Sequence, residues 1–577
     1  MNSQISGTRD LSFVLSGAAG LGIQTVEEFL CRVLCRAGLH VFASREYMSR
    51  VRGGNNSTEI RVGTKAVRAF SDRMDYLFPL TPGVRVNIRR RISQATKIVA
   101  DRGVFGGEFD GTEAPFVPIP LEDMTKELGG KVYAAMVMAG VMIGRTGVPL
   151  PRVLEEIEHF FSGRAEVAKT NADACSLGYR FGVELRGDSE PLYHDAMDSD
   201  GKKILLDGSD AVALGAVAGG CSFAAGYPMS PATGVLTFLS ANADRFHVAV
   251  EQVEDEPAAV NMAVGASYAG ARPLVTTSGG GFALMGEGIS LAGIMEAPLV
   301  VHLSQRPGPA TGMATRTEQG DLDLALYSGH GEFPRAIFAP GSVESAFFLS
   351  AKAFDIAERY QTPVILLTDQ YLMNTFYDVD IPDVSLLRPA GKIDPTPADY
   401  RRYAPGATGI SSRGVPGYGE GLVGADSHEH DEEAHISEEI DVRVSMNEKR
   451  LGKLDAIRQE ALPPVLFGPK DYDNLIVCFG STMEIARESL ALLGRTDTAV
   501  LAFEQVHPLH EATEAFLSAA TRVIVLEGNA TGQFERLLRG TFGIRAHHSI
   551  RKYDGLQFSV EETARRVSEI LEGGAGA

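Results

Sequence analysis

Tryptophan is absent from the chain and cysteine is scarce, with five cysteines among 577 residues. No two cysteines form a C-x-x-C pair, and Cys31 and Cys35 lie one helical turn apart inside an apolar run. We interpret all of them, including Cys175, Cys221 and Cys478, as thiols of the core. Because no set of thiolates has the spacing of an iron–sulfur cluster, a cluster would have to come from a partner.

Long apolar runs are also lacking. The longest, around residues 132–144, falls well short of the roughly 20 residues that span a bilayer. The basic and apolar segments of a signal peptide are not found at the start of the sequence. Since unpaired thiols fit a reducing compartment, we expect a cytoplasmic protein without a membrane partner.

Basic residues are outnumbered, with 54 Lys+Arg against 74 Asp+Glu and a formal net charge of -20. A field of that sign repels a nucleic-acid backbone, so no nucleic-acid partner is expected. Basic side chains concentrate only near the start of the chain, at Arg50, Arg52, Arg85 and residues 89–91. Two interpretations stay open there: a solvated surface and a site for an anionic ligand.

The chain is rich in glycine, with 63 residues. Strand and helix patterns alternate regularly along most of the sequence. The length predicts roughly three or four domains. A strand at 11–15, a glycine turn at 17–22, a helix at 25–37 and a strand at 39–43 predict a βαβ opening. We place the first domain at 1–190.

A second domain is predicted at 200–380, where the alternation predicts a parallel sheet covered by helices. Its predicted strands are 204–206, 248–252, 274–277, 299–303 and 364–367, and its predicted helices are 212–219, 256–269, 282–295 and 345–359. The fold class is therefore α/β.

The alternation breaks down at 381–462, a stretch rich in proline, glycine and acid that contains His428, His430 and His435. We interpret it as a solvated connecting arm without a metal site. A third α/β domain is predicted at 463–577, with strands at 475–479, 499–503 and 522–526 and a helix at 483–493.

Three acids, Glu254, Asp255 and Glu256, follow the predicted strand 248–252, and a glycine turn follows the strand 274–277. Taken alone, the acids fit a helix N-terminus and the glycines fit close helix–sheet packing. Neither pattern by itself requires a ligand.

The order of the motifs resembles that of the 2-oxoacid:ferredoxin oxidoreductases over nearly the whole chain. The family's Tyr-Pro-Ile-Thr-Pro-Ser-Thr motif is similar to Tyr-Pro-Met-Ser-Pro-Ala-Thr at 227–233, with serine where threonine is typical. Its Glu-Asp-Glu helix start is similar to 254–256, and the segments 277–281, 305–312 and 318–322 follow in the family's order.

The outer regions resemble the same family. Residues 47–54 and the first domain are similar to its gamma subunit, fused here ahead of the alpha subunit. Residues 504–508 and 527–533 are similar to its transketolase C-terminal-like domain. The glycine turn at 17–22 departs from the family's usual Gly-x-Gly-Gly-Gln-Gly.

The resemblance implies a middle domain that binds the pyrimidine ring of thiamine diphosphate and a catalytic role for Glu256, whose carboxyl would hydrogen-bond that ring. It implies that the cofactor site is lined by Tyr227, Pro228, Thr277, Gly279 and Gly280. It assigns the substrate carboxylate to Ser230, Thr233 and Arg306.

The resemblance also implies partners. 2-Oxoglutarate and coenzyme A would be the substrates and ferredoxin the electron acceptor, in a dimer of heterodimers. The Gly-Asp-Gly sequence that opens the magnesium and diphosphate motif of thiamine enzymes is missing from this chain. A beta subunit would therefore supply the diphosphate pocket, Mg²⁺ and a 4Fe-4S cluster, and no metal is assigned to this chain.

Three alternatives stay open. The first is an enzyme of the same family acting on pyruvate or a branched-chain 2-oxo acid. The second is a non-catalytic subunit that binds coenzyme A. The third is a dinucleotide dehydrogenase, although the turn at 17–22 lacks Gly-x-Gly-x-x-Gly and no acid ends the second strand.

Overall fold

The computed structural model describes residues 10–48, 54–105, 107–194, 202–387, 391, 393–406 and 408–573. The described chain divides into two compact units. One contains the residues up to Leu206 with Asn374–Ile381 and Ser559–Thr563, and the other contains Asp207–Met373, Pro382–Phe558 and the residues from Ala564 on. The domain boundaries given above stay a prediction.

The first part of the chain contains strands β1 Asp10–Ala18, β2 His40–Glu46, β3 Asn55–Gly63, β4 Tyr76–Pro79, β5 Lys97–Ala100 and β6 Phe116–Pro118, and helices α1 Ile23–Arg36, α2 Val86–Arg89, α3 Arg102–Phe105, α4 Leu121–Glu127, α5 Ala134–Thr146, α6 Leu150–Phe160 and α7 Ala165–Arg186.

The middle part contains strands β7 Lys203–Asp207, β8 Phe223–Gly226, β9 Ala249–Gln252, β10 Pro273–Thr277, β11 Leu299–Gln305, β12 Ala336–Phe338, β13 Pro363–Asp369 and β14 Thr375–Asp380, and helices α8 Gly208–Ala218, α9 Thr233–Ala241, α10 Ala243–Phe246, α11 Glu256–Tyr268, α12 Gly279–Leu284, α13 Gly286–Ile294, α14 Leu322–Tyr327, α15 Val343–Tyr360 and α16 Gln370–Met373.

The last part contains helices α17 Ile440–Gln459, α18 Thr482–Leu493, α19 Thr513–Ala519, α20 Gln533–Phe542 and α21 Val560–Glu572, and strands β15 Val465–Phe467, β16 Asn474–Phe479, β17 Thr498–Phe503, β18 Gln505–His507, β19 Arg522–Glu527 and β20 His548–Arg551.

The first sheet has the strand order β6-β5-β4-β1-β3-β2-β14-β7. β1 is parallel to β4 and antiparallel to β3, so the sheet is mixed. The strand predicted at 204–206 forms as β7. The prediction placed it in the second sheet, but it lies in the first sheet. Periodicity identifies a strand, but it does not say which sheet the strand joins.

The second sheet has the order β18-β12-β13-β11-β10-β8-β9, and its strands from β12 to β9 are all parallel. The third sheet, β15-β17-β16-β19-β20, is parallel except for β15. β18 leaves the last part of the chain to pair antiparallel with β12. The predicted α/β fold class is confirmed.

The predicted solvated arm is wrong for much of 381–462, which contains the helix α17. Lys449 and Lys453 of that helix are buried and form ion pairs with Glu296. His430 is also buried, with its ring centroid 4.0 Å from that of Tyr403. The helix α17 was not predicted because buried ion pairs hold it in place, and charged residues in the core produce no apolar periodicity.

The basic side chains of the first domain divide into two groups. Arg85 forms an ion pair with Glu46, and Arg91 donates to both oxygens of Glu59 at 2.5 and 2.7 Å. Arg89 and Arg90 are exposed, while Arg50 and Arg52 lie outside the described residues. Two of the arginines therefore neutralise carboxylates of the sheet and are not free for an anionic ligand.

The prediction of core thiols is confirmed, because all five cysteines are buried and unpaired. Across the described residues we find no single helix with the length and apolar character to cross a membrane. One bent pair, Leu121–Glu127 with Lys131–Thr146, meets those criteria jointly.

Helices α5 and α7 approach each other closely through glycines. A Cβ at Gly178 would overlap the carbonyl oxygen of Val137, and a Cβ at Gly140 would overlap that of Cys175. Because these obstacles are backbone atoms, no side-chain rotation can relieve the overlap. The two helices can pack only with glycine at these positions.

We predict that Gly178→Ala lowers the stability of the α5–α7 pair by about 3 kcal/mol, the upper end for overpacking. Gly452→Ala is the matched control, since it lies in α17 and a Cβ there meets nothing within 4 Å. That change should stabilise by about 0.5–1 kcal/mol. The stability change in each variant is measured by its unfolding midpoint and by hydrogen exchange of the α5 and α7 amides. Unchanged protection in Gly178→Ala would contradict the close approach.

Candidate active site

The predicted motifs meet at one edge of the second sheet. β8, β9, β10 and β11 are parallel neighbours, so their carboxyl ends point the same way. The chain leaves these ends at Gly226, Gln252, Thr277 and Gln305. Such an edge is where open α/β sheets bind ligands.

The structure distinguishes the three adjacent acids. Glu254 and Asp255 are exposed, and Asp255 caps α11 by accepting a hydrogen bond from the Ala258 N–H at 2.8 Å. Glu256, the first residue of α11, is only 4% exposed. Its Oε1 has no hydrogen-bond partner among the residues that the structure describes. A buried carboxyl oxygen of this kind is suited to a donor from a ligand.

The glycine turn brings backbone against this carboxyl. A Cβ at Gly281, in α12, would overlap both Glu256 Oε1 and Thr277 Oγ1. Thr277 is fully buried, while Gly280 is exposed and a Cβ there would make only an ordinary contact, 3.6 Å from the Ala310 oxygen. Glycine at 281 therefore leaves free the space that the Glu256 carboxyl occupies, and a larger residue would displace that carboxyl or Thr277.

Arg306 follows β11 and reaches across to the Tyr-Pro motif. Its Nη1 donates to the backbone oxygen of Ser230 at 2.7 Å. Partial burial lowers the pKa of the Arg306 guanidinium, and the Asp321 carboxylate opposes that shift. The half-buried guanidinium can bind an anionic partner in addition to the Ser230 carbonyl.

The other predicted residues lie around the same edge. Thr233 begins α9 and is half-buried, as is Ser230. Tyr227 and Pro228 are exposed, with Tyr227 at 44%. Gly279 is buried at the start of α12. The motifs thus lie on neighbouring strand ends, with Tyr227 and Pro228 facing solvent.

A buried histidine links three of the strands just below the site. The two ring nitrogens of His302, in β11, lie 2.8 Å from Thr276 Oγ1 in β10 and 2.8 Å from Thr368 Oγ1 in β13. Burial lowers the pKa of His302 to about 3, so the ring is neutral at physiological pH. These hydrogen bonds fix the strands whose ends carry Thr277 and Arg306.

Sequence reasoning missed two acids, Glu318 and Asp321, on the loop that follows Arg306. Asp321 is half-buried, and its buried Oδ2 has no hydrogen-bond partner within the described part of the chain. Burial raises the pKa of Asp321 to about 6, against the effect of Arg306. Burial and then the Asp321 charge raise the pKa of Glu318 to about 7. Their only sequence signal was the family-like segment 318–322, to which no role was given.

The loop that carries these acids is held by the third sheet. Gln319 donates from its side chain to the Phe479 oxygen at 2.8 Å and accepts from the Gly528 N–H at 2.8 Å. The Gln533 side chain donates to the Gly320 oxygen at 2.7 Å. The motif at 527–533 thereby positions the loop 318–322 beside the second sheet.

Comparisons with known proteins agree with this geometry. Residues 12–181 match the family described as "Pyruvate ferredoxin/flavodoxin oxidoreductase", and residues 214–449 match "Pyruvate flavodoxin/ferredoxin oxidoreductase, thiamine diP-bdg". The alpha subunit of 2-oxoacid:ferredoxin oxidoreductase 2 from Aeropyrum pernix is 31% identical over 98% of each chain. The chain belongs to the 2-oxoacid:ferredoxin oxidoreductases.

Two further relatives of this oxidoreductase subunit carry more specific names. The 2-oxoglutarate oxidoreductase subunit KorA of Mycobacterium tuberculosis is 31% identical over 73% of this chain and 66% of that protein. The solved 2-oxoglutarate:ferredoxin oxidoreductase of Magnetococcus marinus, with 2-oxoglutarate, coenzyme A and succinyl-CoA bound, is 27% identical. The match covers 97% of this chain and 99% of the solved chain, with a TM-score of 0.90. The resemblance, the enzyme class and the thiamine-type domain predicted from the sequence are confirmed.

For this oxidoreductase we predict that Gly281→Ala greatly reduces retention of thiamine diphosphate, because the added methyl displaces the Glu256 carboxyl. Gly265→Ala is the control, since it lies in the same helix as Glu256 and its Cβ would meet nothing within 4 Å. Cofactor content of the purified enzyme after gel filtration measures the effect. Equal retention in the two variants would contradict the steric argument.

Proposed function

We propose that this chain is the alpha subunit of a thiamine diphosphate-dependent 2-oxoglutarate:ferredoxin oxidoreductase. The reaction interconverts 2-oxoglutarate plus coenzyme A with succinyl-CoA plus carbon dioxide, with ferredoxin as electron partner. The observation that carries the proposal is the buried Glu256 carboxyl, whose Oε1 lacks a partner among the described residues.

Glu256 fits the proposed cofactor. Its buried carboxyl would hold a proton at the pyrimidine ring, protected from exchange with water by the low exposure of the side chain. The buried Thr277, Gly279 and Gly281 let the α12 backbone lie close to that ring, and Gly280 faces the open side. When bound, thiamine diphosphate supplies an electron sink for loss of carbon dioxide.

Arg306 fits the 2-oxo acid. Its planar guanidinium can pair with the substrate carboxylate while one nitrogen stays bound to the Ser230 oxygen. The hydroxyls of Ser230 and Thr233 lie on the neighbouring motif as further donors. Tyr227 and Pro228 would close the rim on the cofactor side.

A beta subunit would complete the site. The missing Gly-Asp-Gly sequence assigns the diphosphate pocket and Mg²⁺ to that partner, together with the 4Fe-4S cluster, and we propose a dimer of heterodimers. β9 is an edge strand of the second sheet with Ala249, Glu251 and Gln252 exposed. Such an edge offers surface for a partner next to Glu256. The buried, unpaired thiols support a cytoplasmic location.

The names of the relatives from M. tuberculosis and M. marinus favour 2-oxoglutarate over pyruvate or a branched-chain 2-oxo acid. Against a non-catalytic subunit that binds coenzyme A, this chain keeps Glu256 and Arg306 at one edge of the sheet. Neither residue would be needed for binding coenzyme A alone.

The test uses this chain co-purified with its beta partner and measures viologen reduction with coenzyme A and each 2-oxo acid. We expect the highest kcat/KM with 2-oxoglutarate, and Glu256→Gln should lower kcat by about 10²–10⁴. The exposed Glu254→Gln should retain wild-type activity. Gel filtration checks that each complex is assembled.

Full activity in Glu256→Gln would overturn the assignment of that carboxyl. If the wild type prefers pyruvate, the substrate assignment changes from 2-oxoglutarate to pyruvate. No reduction with any 2-oxo acid by an assembled complex would favour the non-catalytic subunit.

A further inference from the structure

Two acids of the site have no part in the proposed roles of Glu256 and Arg306. They are Glu318 and Asp321, on the loop between β11 and α14. Asp321 lies against the start of α12, where a Cβ at Gly279 would overlap its carboxyl. Its backbone N–H donates to Gln305 Oε1 at 3.0 Å. The carboxyl is thus held at the same helix end that Glu256 approaches through Gly281.

The position of Asp321 is built by the surrounding structure. Gln305 is held in turn by its Nε2, which donates to the Thr368 oxygen at 3.1 Å. The Gln533 side chain accepts from the Asp323 N–H at 2.9 Å just after it. Anchors on both sides hold the Asp321 carboxyl, although its buried Oδ2 has no hydrogen-bond partner among the described residues. Leaving a buried polar atom unpaired costs free energy.

The titratable groups around the two acids are Arg306, Glu256 on the other side of the first turn of α12, and Asp369 and Lys552, which line one cavity with Glu318. Arg306, from the end of β11, interacts with Asp321, and Glu318 interacts with it from the same loop. The first turn of α12 consists of glycines and presents no titratable side chain. Among the described residues, Arg306 forms no ion pair within 4 Å, so its attraction to Asp321 acts at longer range.

A substrate carboxylate that binds Arg306 comes within electrostatic range of Asp321, which interacts with both Arg306 and Glu318. When both acids are ionised, the incoming anion meets like charges in a partly buried site, where such repulsion is strong. When Asp321 is protonated, that repulsion falls and the substrate carboxylate becomes the counter-charge of Arg306. Substrate binding and proton binding therefore favour each other, and the coupling is reciprocal.

We propose that Asp321, together with Glu318, takes up a proton from solvent when the carboxylate of the 2-oxo acid binds Arg306. Asp321 is on this account a positioning residue that controls the charge of the substrate pocket. One O–H bond forms on the acid pair for each substrate bound, and the proton returns to solvent when the anion leaves. The inference rests on the proposed function of the site.

The sign of the effect follows from the raised pKa values. Burial raises the pKa of Asp321 to about 6 and, with Asp321, that of Glu318 to about 7. Below this range the acids are neutral and do not oppose the substrate. Above it they are anionic, so the KM for the 2-oxo acid should rise with pH, by up to about tenfold per pH unit for one coupled proton.

The experiment measures kcat and KM for 2-oxoglutarate from about pH 5.5 to about pH 8.5 in the complex with the beta subunit. We expect Asp321→Asn to give a KM that is nearly independent of pH and lower than wild type at the alkaline end. Asp323→Asn is the matched control, because that acid is partly exposed and pairs with Arg536. It should keep the wild-type pH dependence.

A second measurement covers the case in which Asp321→Asn does not assemble. Calorimetric binding of glutarate, a dicarboxylate without the reactive 2-oxo group, in two buffers of different ionisation enthalpy counts the protons taken up. We expect uptake of up to about one proton near pH 7 in wild type, and a clearly smaller uptake in Glu318→Gln.

A pH-independent KM in wild type, a wild-type slope in Asp321→Asn, or no proton uptake with glutarate would overturn the inference. Each of these outcomes can occur in an enzyme that reduces viologen normally with 2-oxoglutarate. If the proposed function is wrong, in contrast, no dye reduction with 2-oxoglutarate is observed at any pH. The two failures are therefore distinguishable.

Discussion

The structure of the site depends on one constraint, a carboxyl group buried at the shared end of parallel strands. Glycine at 281 lets the α12 backbone pass beside the buried Glu256, because a Cβ there would overlap Oε1 of the carboxyl. An ionisable group with an unsatisfied oxygen is costly in that position unless a ligand supplies a donor. The short helix, the glycine turn and the register of β8, β9 and β10 can all be understood as the frame for this carboxyl.

The third sheet contributes indirectly to the structure of the site. It has none of the predicted catalytic or substrate residues, yet Gln319, Gly528 and Gln533 connect it to the loop that carries Asp321. The strand β18 also pairs with β12, which adds the last part of the chain to the second sheet. The loop that carries Asp321 is thereby positioned by residues far from it in sequence.

Much of the fold was predictable, because apolar strands and glycine turns alternate with helices through most of the chain. The short strand β8, Phe-Ala-Ala-Gly, was missed because it lacks the β-branched residues that mark a strand. Helix α17 was missed because its buried residues include Lys449, Arg450 and Lys453, and charge in the core leaves no apolar period. β7 was recognised as a strand but assigned to the wrong sheet.

The candidate site was predictable only through the order of its motifs. Glu256 could be distinguished from Glu254 and Asp255 once burial was known, which a run of three acids does not reveal. Asp321 acquires its environment from Gln305 and Gly279, contacts between segments that no local pattern encodes.

The central claim is that Glu256 activates the cofactor, and the most direct test is the exchange of the thiazolium C2 proton of bound thiamine diphosphate in D₂O. The measurement compares quenched NMR samples of the wild-type complex and the Glu256→Gln complex, both saturated with cofactor. The account predicts exchange slower by about 10²-fold or more in the variant. Equal exchange rates with the cofactor bound would contradict it.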